Sequence, residues 1–560
     1  MKKLTFIFTL FFVSQILFAQ QYTRSKNGMV VSADEYASQV GCDILKKGGN
    51  AIDAAVATGF ALAVTYPQAG NIGGGGFMVI RLNNGETFSI DFREKAPAKA
   101  FRDMFLNSKG EFDSEKSTIG YLAAGVPGSV AGLLLAHEKF GKLKLKDVLT
   151  PAIDLAEKGF KLHYRLAESL ESTIPRFKKF PASMKAFTKN GVTYKENELF
   201  KQPDLANTLK LILKYGKKGF YEGKVADLIA KDMEQNGGLI TQADLKNYEP
   251  VMRKTVHINY RDHEIITMGL PSSGGFTLSM LFNIMENFPV SEWGWNSSKT
   301  VHYSAEAMKF VYANRSEYGG DPDFVKTPML QLTSKSFAKE LADKIEPDRS
   351  IPSKEISFST FPDFEKTETT HYSVMDKYGN AVSVTTTING VYGNYVVVAG
   401  AGFLLNNEMD DFSSKPGSPN MFGLIGNEAN AIFPDKRMLS SMSPTIVVKD
   451  GKPFMVIGSP GGSTIITTVF QVIMNVIDHK MDIQKAVNAQ RFHHQWLPDR
   501  LNYERYGLSK DVINVLENMG YTLNEQLRAP NSAEGIIFDA KNGYFYGASD
   551  IRGYGAAKGY

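Results

Sequence analysis

Three strand–turn–strand patterns beside apolar helices constrain the fold of this 560-residue chain most strongly. The turns are Asn84-Gly85, Tyr378-Gly379-Asn380 and Asp450-Gly451, and short runs rich in Val, Ile, Thr and Phe flank each of them. Such runs around a Gly-containing turn predict antiparallel β-hairpins. Residues 50–66 are Ala-rich and apolar almost all round, which predicts a buried helix. The pattern therefore predicts β-sheets sandwiched between layers of helices.

The remaining elements follow the same alternation of strands and helices. Residues 145–250 are Lys-rich with a helical pattern, which predicts a peripheral helical region. Residues 320–367 are polar and contain several prolines, which predicts an exposed connector. Strands are predicted at 77–82, 87–92, 370–376, 381–388, 444–448 and 453–458, and helices at 129–140, 276–287 and 464–479.

The first nineteen residues have the composition of a secretory signal peptide. Lys2 and Lys3 form a basic N-terminal region, and residues 4–18 are mostly apolar. Ala19 is a small residue directly before the expected signal-peptidase cleavage site. The apolar stretch is shorter than the roughly 20 residues that a membrane span needs. We therefore expect removal of residues 1–19, a mature chain without a membrane span, and export to the periplasm.

Composition excludes several classes of function. A net charge of +4 does not indicate a nucleic-acid-binding protein. Cys42 is the single cysteine, so neither a disulfide within the chain nor a Cys-based metal cluster can form. His493 and His494 are adjacent, and neighbours on a strand point to opposite faces, which favours structural polar contacts over a shared metal.

Signatures of phosphate and dinucleotide binding are missing from this glycine-rich sequence, and so is the Gly-x-Ser-x-Gly motif. One glycine-containing segment does suggest chemistry. Residues 459–463, Ser-Pro-Gly-Gly-Ser, connect a predicted strand to the start of a predicted helix. Outward-facing amides and a helix N-terminus are the components of an oxyanion hole. A tight structural turn has the same sequence pattern and remains the alternative.

Two charged features suggest a pocket for a small zwitterion. Residues 406–412 carry three carboxylates beside two amides, and these could hold an ammonium group or a cation. Arg93 ends an apolar strand, and its guanidinium could bind a carboxylate in bidentate fashion. A solvated loop and a surface ion pair are the alternatives. With an oxyanion hole nearby, the chemistry would be acyl transfer, but spacing does not identify the nucleophile among the many Ser and Thr residues.

Six segments occur in an order that is specific for one family. They are Asn71–Phe77, Asp91–Glu94, Thr369–Ser373, Leu405–Phe412, Leu439–Thr445 and Gly458–Ser463. In these segments the chain resembles the γ-glutamyltransferase family, also called glutathione hydrolases, over nearly its whole length after the signal peptide. The resemblance implies an α+β fold, the four-layer αββα sandwich of N-terminal nucleophile hydrolases.

The resemblance also implies self-cleavage. Members of the family are made as one inactive chain that cuts itself before a threonine, here between Glu368 and Thr369. Residues 20–368 would form a large subunit and residues 369–560 a small catalytic subunit, and the two would remain associated. Thr369 would be the nucleophile, and its freed α-amine, with an ordinary pKa near 7.7–8.0, would act as its base.

Further roles are carried over by the same resemblance. Thr387 would orient the Thr369 hydroxyl, and Gly461 and Gly462 would form the oxyanion hole. The donor, glutathione or a related γ-glutamyl compound, would pass its γ-glutamyl group to water or to an amino acid or peptide. No metal or organic cofactor is implied. Arg93, Ser440 and Ser441 would hold the donor's α-carboxylate, and Asn389, Glu408 and Asp411 its α-ammonium.

One difference from the family concerns the lid over the pocket. Residues 415–427 match this lid in length, but Phe422 stands where many bacterial members have a tyrosine whose hydroxyl bonds the pocket asparagine. Phenylalanine cannot donate that hydrogen bond.

Two other functions remain open: a relative with a different amide substrate, such as a cephalosporin acylase or a capsule-processing transpeptidase, and a catalytically silent binding protein for γ-glutamyl peptides.

Overall fold

The computed structural model describes residues 22–356, 369–415, 417–526 and 531–560. The predicted signal peptide and Glu368 lie outside these residues. The strands are β1 (Thr23–Ser25), β2 (Gly28–Ser32), β3 (Gly75–Arg81), β4 (Thr87–Asp91), β5 (Phe160–Lys161), β6 (Thr188–Lys189), β7 (Val192–Thr193), β8 (Leu199–Phe200), β9 (Val251–Arg253), β10 (Val256–Tyr260), β11 (His263–Thr267), β12 (Thr370–Asp376), β13 (Ala381–Thr387), β14 (Thr445–Lys449), β15 (Lys452–Gly458), β16 (Phe492–His493), β17 (Leu501–Glu504), β18 (Leu523–Gln526), β19 (Glu534–Asp539), β20 (Tyr544–Ser549) and β21 (Ala556–Gly559).

Helices lie between these strands. They are α1 (Glu35–Lys46), α2 (Ala51–Thr65), α3 (Ser114–Thr118), α4 (Ser129–Phe140), α5 (Leu145–Lys158), α6 (Tyr164–Phe177), α7 (Pro181–Phe187), α8 (Pro203–Tyr215), α9 (Lys218–Tyr221), α10 (Gly223–Gln235), α11 (Gln242–Lys246), α12 (Gly274–Met285), α13 (Val290–Trp293), α14 (Ser298–Tyr318), α15 (Met329–Leu332), α16 (Lys335–Ala342), α17 (Thr464–Ile477), α18 (Ile483–Asn488) and α19 (Lys510–Asn518). Within the described residues, no helix is both long and apolar enough to cross a membrane.

Two seven-stranded sheets form the centre of the molecule. One has the strand order β1-β20-β19-β15-β14-β11-β10 and the other β21-β2-β12-β13-β3-β4-β9. The sheets pack against each other through β12 and β13 on one side and β15 and β19 on the other. Helices α12 and α17 cover the outer face of the first sheet, and α2 with its neighbours covers the second. The predicted four-layer αββα sandwich is therefore confirmed.

Local sequence explains the most buried helix. Asn50 and Asp53 form a capping box at the start of α2, in which each side chain accepts a hydrogen bond from the backbone of the other. All fifteen residues of α2 are buried, because the helix packs between the second sheet and α1, α4 and α5. The prediction of a buried helix here is confirmed.

The exposed connector predicted at residues 320–367 is only partly correct. Within the part that the structure describes, α15 and α16 interrupt it. Leu332, Ala338 and Leu341 are buried in the core beside α12 and α14. These apolar residues lie on one face of short helices, and the surrounding charge hid that periodicity in the sequence. Residues 357–367 lie outside the described part of the chain.

Candidate active site

The hairpin formed by β12 and β13 places two threonines side by side. Thr370 pairs with Thr386 in the antiparallel ladder, so continuing the register by one residue puts Thr369 beside Thr387. The backbone amide of Asn389 donates to Thr387 Oγ1 at 2.7 Å, which occupies that oxygen as an acceptor and leaves its hydrogen free to donate. Both threonines are almost fully buried.

The run of glycines at residues 73–76 supports the end of this hairpin. Asn71 Nδ2 donates to Thr386 Oγ1 at 3.2 Å and to the Thr387 carbonyl at 2.9 Å. A Cβ on Gly74 would lie only 2.2 Å from the same Thr387 carbonyl oxygen. The glycines therefore let β3 approach β13 closely, which is a packing role.

A small cavity joins Thr369 to the other predicted site residues. It is lined by Arg93, Thr369, Thr387, Asn389, Glu408, Asp411, Phe422, Ser440, Ser441 and Gly462, together with Arg315, Asn420 and neighbouring residues. Gly461 precedes Gly462 in the same loop. The cavity volume is about 30 Å³, enough for about two water molecules and too small for a glutamyl group. The structure thus brings the predicted residues together in a closed pocket.

The predicted oxyanion loop lies between β15 and the start of α17. Gly461 and Gly462 have φ values of 120° and 57°, conformations that favour glycine. Within the described residues, neither backbone amide donates a hydrogen bond to a backbone carbonyl. Asn531 braces the start of α17 directly after the loop, because its Oδ1 accepts from Thr464 Oγ1 at 2.7 Å and its Nδ2 donates to Thr468 Oγ1 at 2.9 Å. Two free amides on a braced loop can stabilise an oxyanion.

Arg93 is fully buried and already paired with carboxylates. Its two terminal nitrogens form ion pairs with Glu408 and Asp411, and they lie near Glu94, with Nη1 to Oε2 at 3.6 Å. Its Nε donates to the Met438 carbonyl at 3.3 Å. The sequence predicted that Arg93 binds a carboxylate and the acids bind an ammonium, and the structure pairs these two groups with each other.

The acids outnumber the cation at this cluster. Burial raises the pKa of the Glu408 carboxyl well above its usual value, and repulsion by Glu94 adds to the rise against the attraction of Arg93. Burial likewise raises the pKa of Glu94 to about 7. The pKa of Asp411 is also raised by burial, with Arg93 opposing the shift. Among the described residues, Glu408 Oε2 and both Glu94 carboxyl oxygens have no hydrogen-bond donor, so the cluster can accept an ammonium group.

Ser440 and Ser441 are fixed by a second buried cation that sequence reasoning missed. Arg315, on α14, donates from Nη2 to Ser441 Oγ at 3.0 Å and from Nε to Ser273 Oγ at 2.9 Å. Ser273 Oγ in turn donates to the Ser440 carbonyl at 2.6 Å. Burial lowers the pKa of Arg315 to about 10, which leaves it charged at neutral pH. No local motif marks Arg315, because α14 lies far from the other site residues in sequence.

Asn389 has a left-handed backbone with φ of 69°. Its Nδ2 donates to the Asn407 carbonyl at 2.9 Å and contacts Met421 Sδ in the lid at 3.3 Å. Its Oδ1 is buried and has no hydrogen-bond partner in the described part of the chain. The ring of Phe422 packs on the Cα of Gly462, where an added Cβ would lie 2.0 Å from Phe422 Cδ1. The lid is therefore closed directly over the oxyanion loop.

Together, the sandwich and the pocket at the ends of its central strands define an N-terminal nucleophile hydrolase. The model of the gamma-glutamyltranspeptidase family matches residues 37–560, and the chain belongs to that family. It is 50% identical over 535 residues to the glutathione hydrolase proenzyme of Escherichia coli K12, covering 94% of this chain and 91% of that protein. The corresponding proenzyme of Pseudomonas sp. strain A14 is 47% identical, covering 96% and 95%.

Solved structures agree with this assignment. A cephalosporin acylase from Bacillus halodurans has a TM-score of 0.86 at 26% identity and covers 96% of this chain and 97% of its own. The Helicobacter pylori gamma-glutamyltranspeptidase is 51% identical with a TM-score of 0.57, covering 58% of this chain and 93% of its own. The first structure shares the fold over nearly the full length, and the second is closer in sequence over a shorter part.

Proposed function

We propose that this protein is a γ-glutamyltransferase and glutathione hydrolase that is activated by cleavage between Glu368 and Thr369. The observation that carries the proposal is the cavity in which Thr369 and Thr387 lie with Arg93, the acid cluster and Gly462. This set combines a nucleophile, binding groups for both charges of a free glutamyl head, and an oxyanion site. A catalytically silent binding protein would not need the nucleophile and the oxyanion loop together.

Thr369 carries the reaction in this proposal. Once cleavage frees its α-amine, the amine takes the proton of the Thr369 hydroxyl, and Thr387 donates a hydrogen bond that orients the oxygen. The oxygen attacks the γ-carbonyl of the donor, and the amides of Gly461 and Gly462 stabilise the tetrahedral oxyanion. The amine product leaves with the proton, and the γ-glutamyl ester then passes to water or to an acceptor amine.

Donor binding exchanges ion pairs inside the pocket. The α-carboxylate takes the place of Glu408 and Asp411 at Arg93 and also contacts Ser440 and Ser441. The α-ammonium takes the place of Arg93 at the two acids, beside Asn389. Because a zwitterion brings both charges at once, no buried charge is left without a partner, which would be costly. A glutaryl donor brings only the carboxylate and leaves the acids uncompensated.

Subunit composition and location form part of the proposal. We expect a large subunit of residues 20–368 and a small subunit of residues 369–560 that stay associated, because β12 lies between β2 and β13 within one sheet. We also expect removal of the signal peptide at residues 1–19 and a periplasmic location. Both similar bacterial proteins are named proenzymes, which supports processing.

The test combines mass spectrometry with activity. Purified protein should give two chains that join at residues 368 and 369, and it should release glutamate from glutathione. It should hydrolyse γ-glutamyl-p-nitroanilide much faster than the glutaryl amide of a cephalosporin. A preference for the glutaryl compound would support the cephalosporin acylase alternative, and an uncut inactive chain would contradict the proposal.

Arg93→Lys tests the binding of the donor's α-carboxylate. One ammonium cannot reproduce the bidentate contacts of the guanidinium, and a lost charge-assisted hydrogen bond is worth about 1.5–3 kcal/mol. We expect the KM for γ-glutamyl donors to rise about 10- to 100-fold. Arg93→Ala should also lower the melting temperature, because it leaves Glu408 and Asp411 buried without their cation. An unchanged KM in the lysine variant would show that Arg93 does not bind the donor's α-carboxylate.

Phe422→Tyr tests the difference in the lid. Asn389 Oδ1 is buried and unpartnered within the described residues, so we expect a new hydroxyl on residue 422 to donate to it. One added hydrogen bond of about 0.5–1.5 kcal/mol shifts the closed-to-open ratio about 2- to 13-fold. We expect a lower donor KM and slower product release, and no such gain in the Asn389→Ala background. A coupling energy of zero between Phe422→Tyr and Asn389→Ala would show that residue 422 does not bond Asn389.

A further inference from the structure

We propose that Asn420 is the residue that latches the lid to the donor site, and that it does so through Asp411, so that lid closure depends on the donor's α-ammonium. This inference rests on the proposed function, since Asp411 is there the carboxylate that receives this ammonium. Asn420 is a positioning residue, because it acts on the donor through Asp411.

The side chain of Asn420 makes three hydrogen bonds, one to the pocket and two within the lid. Its Nδ2 donates to Asp411 Oδ1 at 3.0 Å. Its Oδ1 accepts from the backbone amides of Phe422 at 3.0 Å and Leu424 at 3.1 Å. The side chain is buried, so these bonds are shielded from water. One amide group therefore both shapes the turn of the lid and attaches that turn to Asp411.

Three further contacts of the described lid residues lack this combination. The amide of Met421 donates to Asp410 Oδ2 at 2.9 Å, which holds the lid to a carboxylate that Ser117 also contacts. Gln495 Nε2 donates to the Gly423 carbonyl at 3.0 Å from outside the pocket. Asn389 reaches only the sulfur of Met421, and a thioether is a weak acceptor. Of these contacts, that of Asn420 is the strong hydrogen bond to a carboxylate that is predicted to bind the donor.

Asp411 can connect the donor to the lid because its two oxygens have different partners. Oδ2 pairs with Arg93, whereas Oδ1 accepts from Asn420. When the α-carboxylate of a donor binds Arg93 in place of Asp411, the α-ammonium of the donor supplies the positive charge that keeps Asp411 ionised. A hydrogen bond to an ionised carboxylate is roughly twice as strong as one to a neutral acceptor. A donor with an α-ammonium thus keeps the Asn420 contact strong and the lid closed, whereas a glutaryl donor takes Arg93 from Asp411 without supplying another cation and weakens the contact.

Asn420→Asp is the sharpest test, because it keeps Oδ1 as the acceptor that shapes the turn but cannot donate to Asp411. Asn420→Ala removes both contacts. The matched control is Asn427→Ala, which removes a hydrogen bond of the same kind at the end of the lid, from Asn427 Nδ2 to Glu317 Oε2 at 2.6 Å. The melting temperature of each variant establishes that it is folded.

The first readout is hydrogen exchange of the lid peptide that contains Phe422 and Leu424, with L-glutamate and glutarate as probes. In the unmodified protein and in Asn427→Ala, exchange should stay slow with L-glutamate and become faster with glutarate. In both Asn420 variants this difference between the two probes should be lost. A difference that persists in Asn420→Asp would overturn the latch, and so would equal exchange with the two probes in the unmodified protein.

The second readout is kinetic. Asn420→Asp should lower kcat/KM for γ-glutamyl-p-nitroanilide about 10-fold, mainly through KM, but change that for glutaryl-p-nitroanilide by less than about 2-fold. Asn427→Ala should affect both donors equally. An equal loss for both donors in Asn420→Asp would overturn the inference. If the unmodified protein processes no γ-glutamyl donor, the proposed function fails as well, whereas an active enzyme with an unresponsive lid refutes the latch alone.

Discussion

Thr369→Ala should remain one uncut chain and have no activity. Without the hydroxyl, nothing at this position can attack the carbonyl of Glu368 during processing or the γ-carbonyl of a donor afterwards. Thr369→Ser should still split, more slowly, because it keeps the hydroxyl but loses the methyl group that restricts its rotamers. A denaturing gel with intact-mass measurement shows the processing, and γ-glutamyl-p-nitroanilide hydrolysis shows the activity.

Thr370→Val is the matched control for this experiment. Thr370 is the next residue in the chain and is fully buried, and its Oγ1 has no hydrogen-bond partner among the residues that the structure describes. Valine keeps its shape, so this variant should split and react normally. If Thr369→Ala split at the same bond, or if Thr370→Val alone blocked cleavage, the assignment of the nucleophile would be wrong.

The central hairpins were predictable because their signals are local. Tyr378-Gly379-Asn380 predicted a turn, and the structure joins β12 and β13 there. By contrast, α14 was not predicted, although it is the longest helix described, at 21 residues. It buries Glu306, Lys309 and Arg315 along with its apolar residues, so its sequence lacks a clean apolar stripe.

The site was predictable in its parts but not in its connections. Arg93 and the acids of residues 406–412 suggested a zwitterion pocket from charge alone, whereas the nucleophile came only from the family resemblance. Spacing cannot identify Thr369, because its neighbours depend on strand register and on a loop some ninety residues away. The pairing of Arg93 with Glu408 and Asp411, and the roles of Arg315 and Asn420, depend on such long-range contacts.

Gly461→Ala should lower kcat about 10²- to 10³-fold with little change in KM, the loss typical of removing an oxyanion donor. Gly461 has a φ of 120°, and a Cβ there would lie 1.9 Å from Asn531 Oδ1. Because alanine is strained at this φ, we expect the peptide to rotate and the amide of residue 461 or 462 to turn away from the carbonyl of the donor. Because Arg93, Ser440 and Ser441 still hold the glutamyl head, ground-state binding should be kept.

The control variant, Gly451→Ala, distinguishes a loss of oxyanion stabilisation from the effect of backbone strain. Gly451, in the turn between β14 and β15 of the same sheet, also has a positive φ, of 71°, but a Cβ there would meet no atom within 4 Å. Gly451→Ala should therefore lower the melting temperature slightly and leave kcat unchanged. If Gly461→Ala lowered stability as much as Gly451→Ala but kept its kcat, the amides of this loop would not stabilise the oxyanion. A large fall in kcat with unchanged KM would place the loss in the transition state, where an oxyanion hole acts.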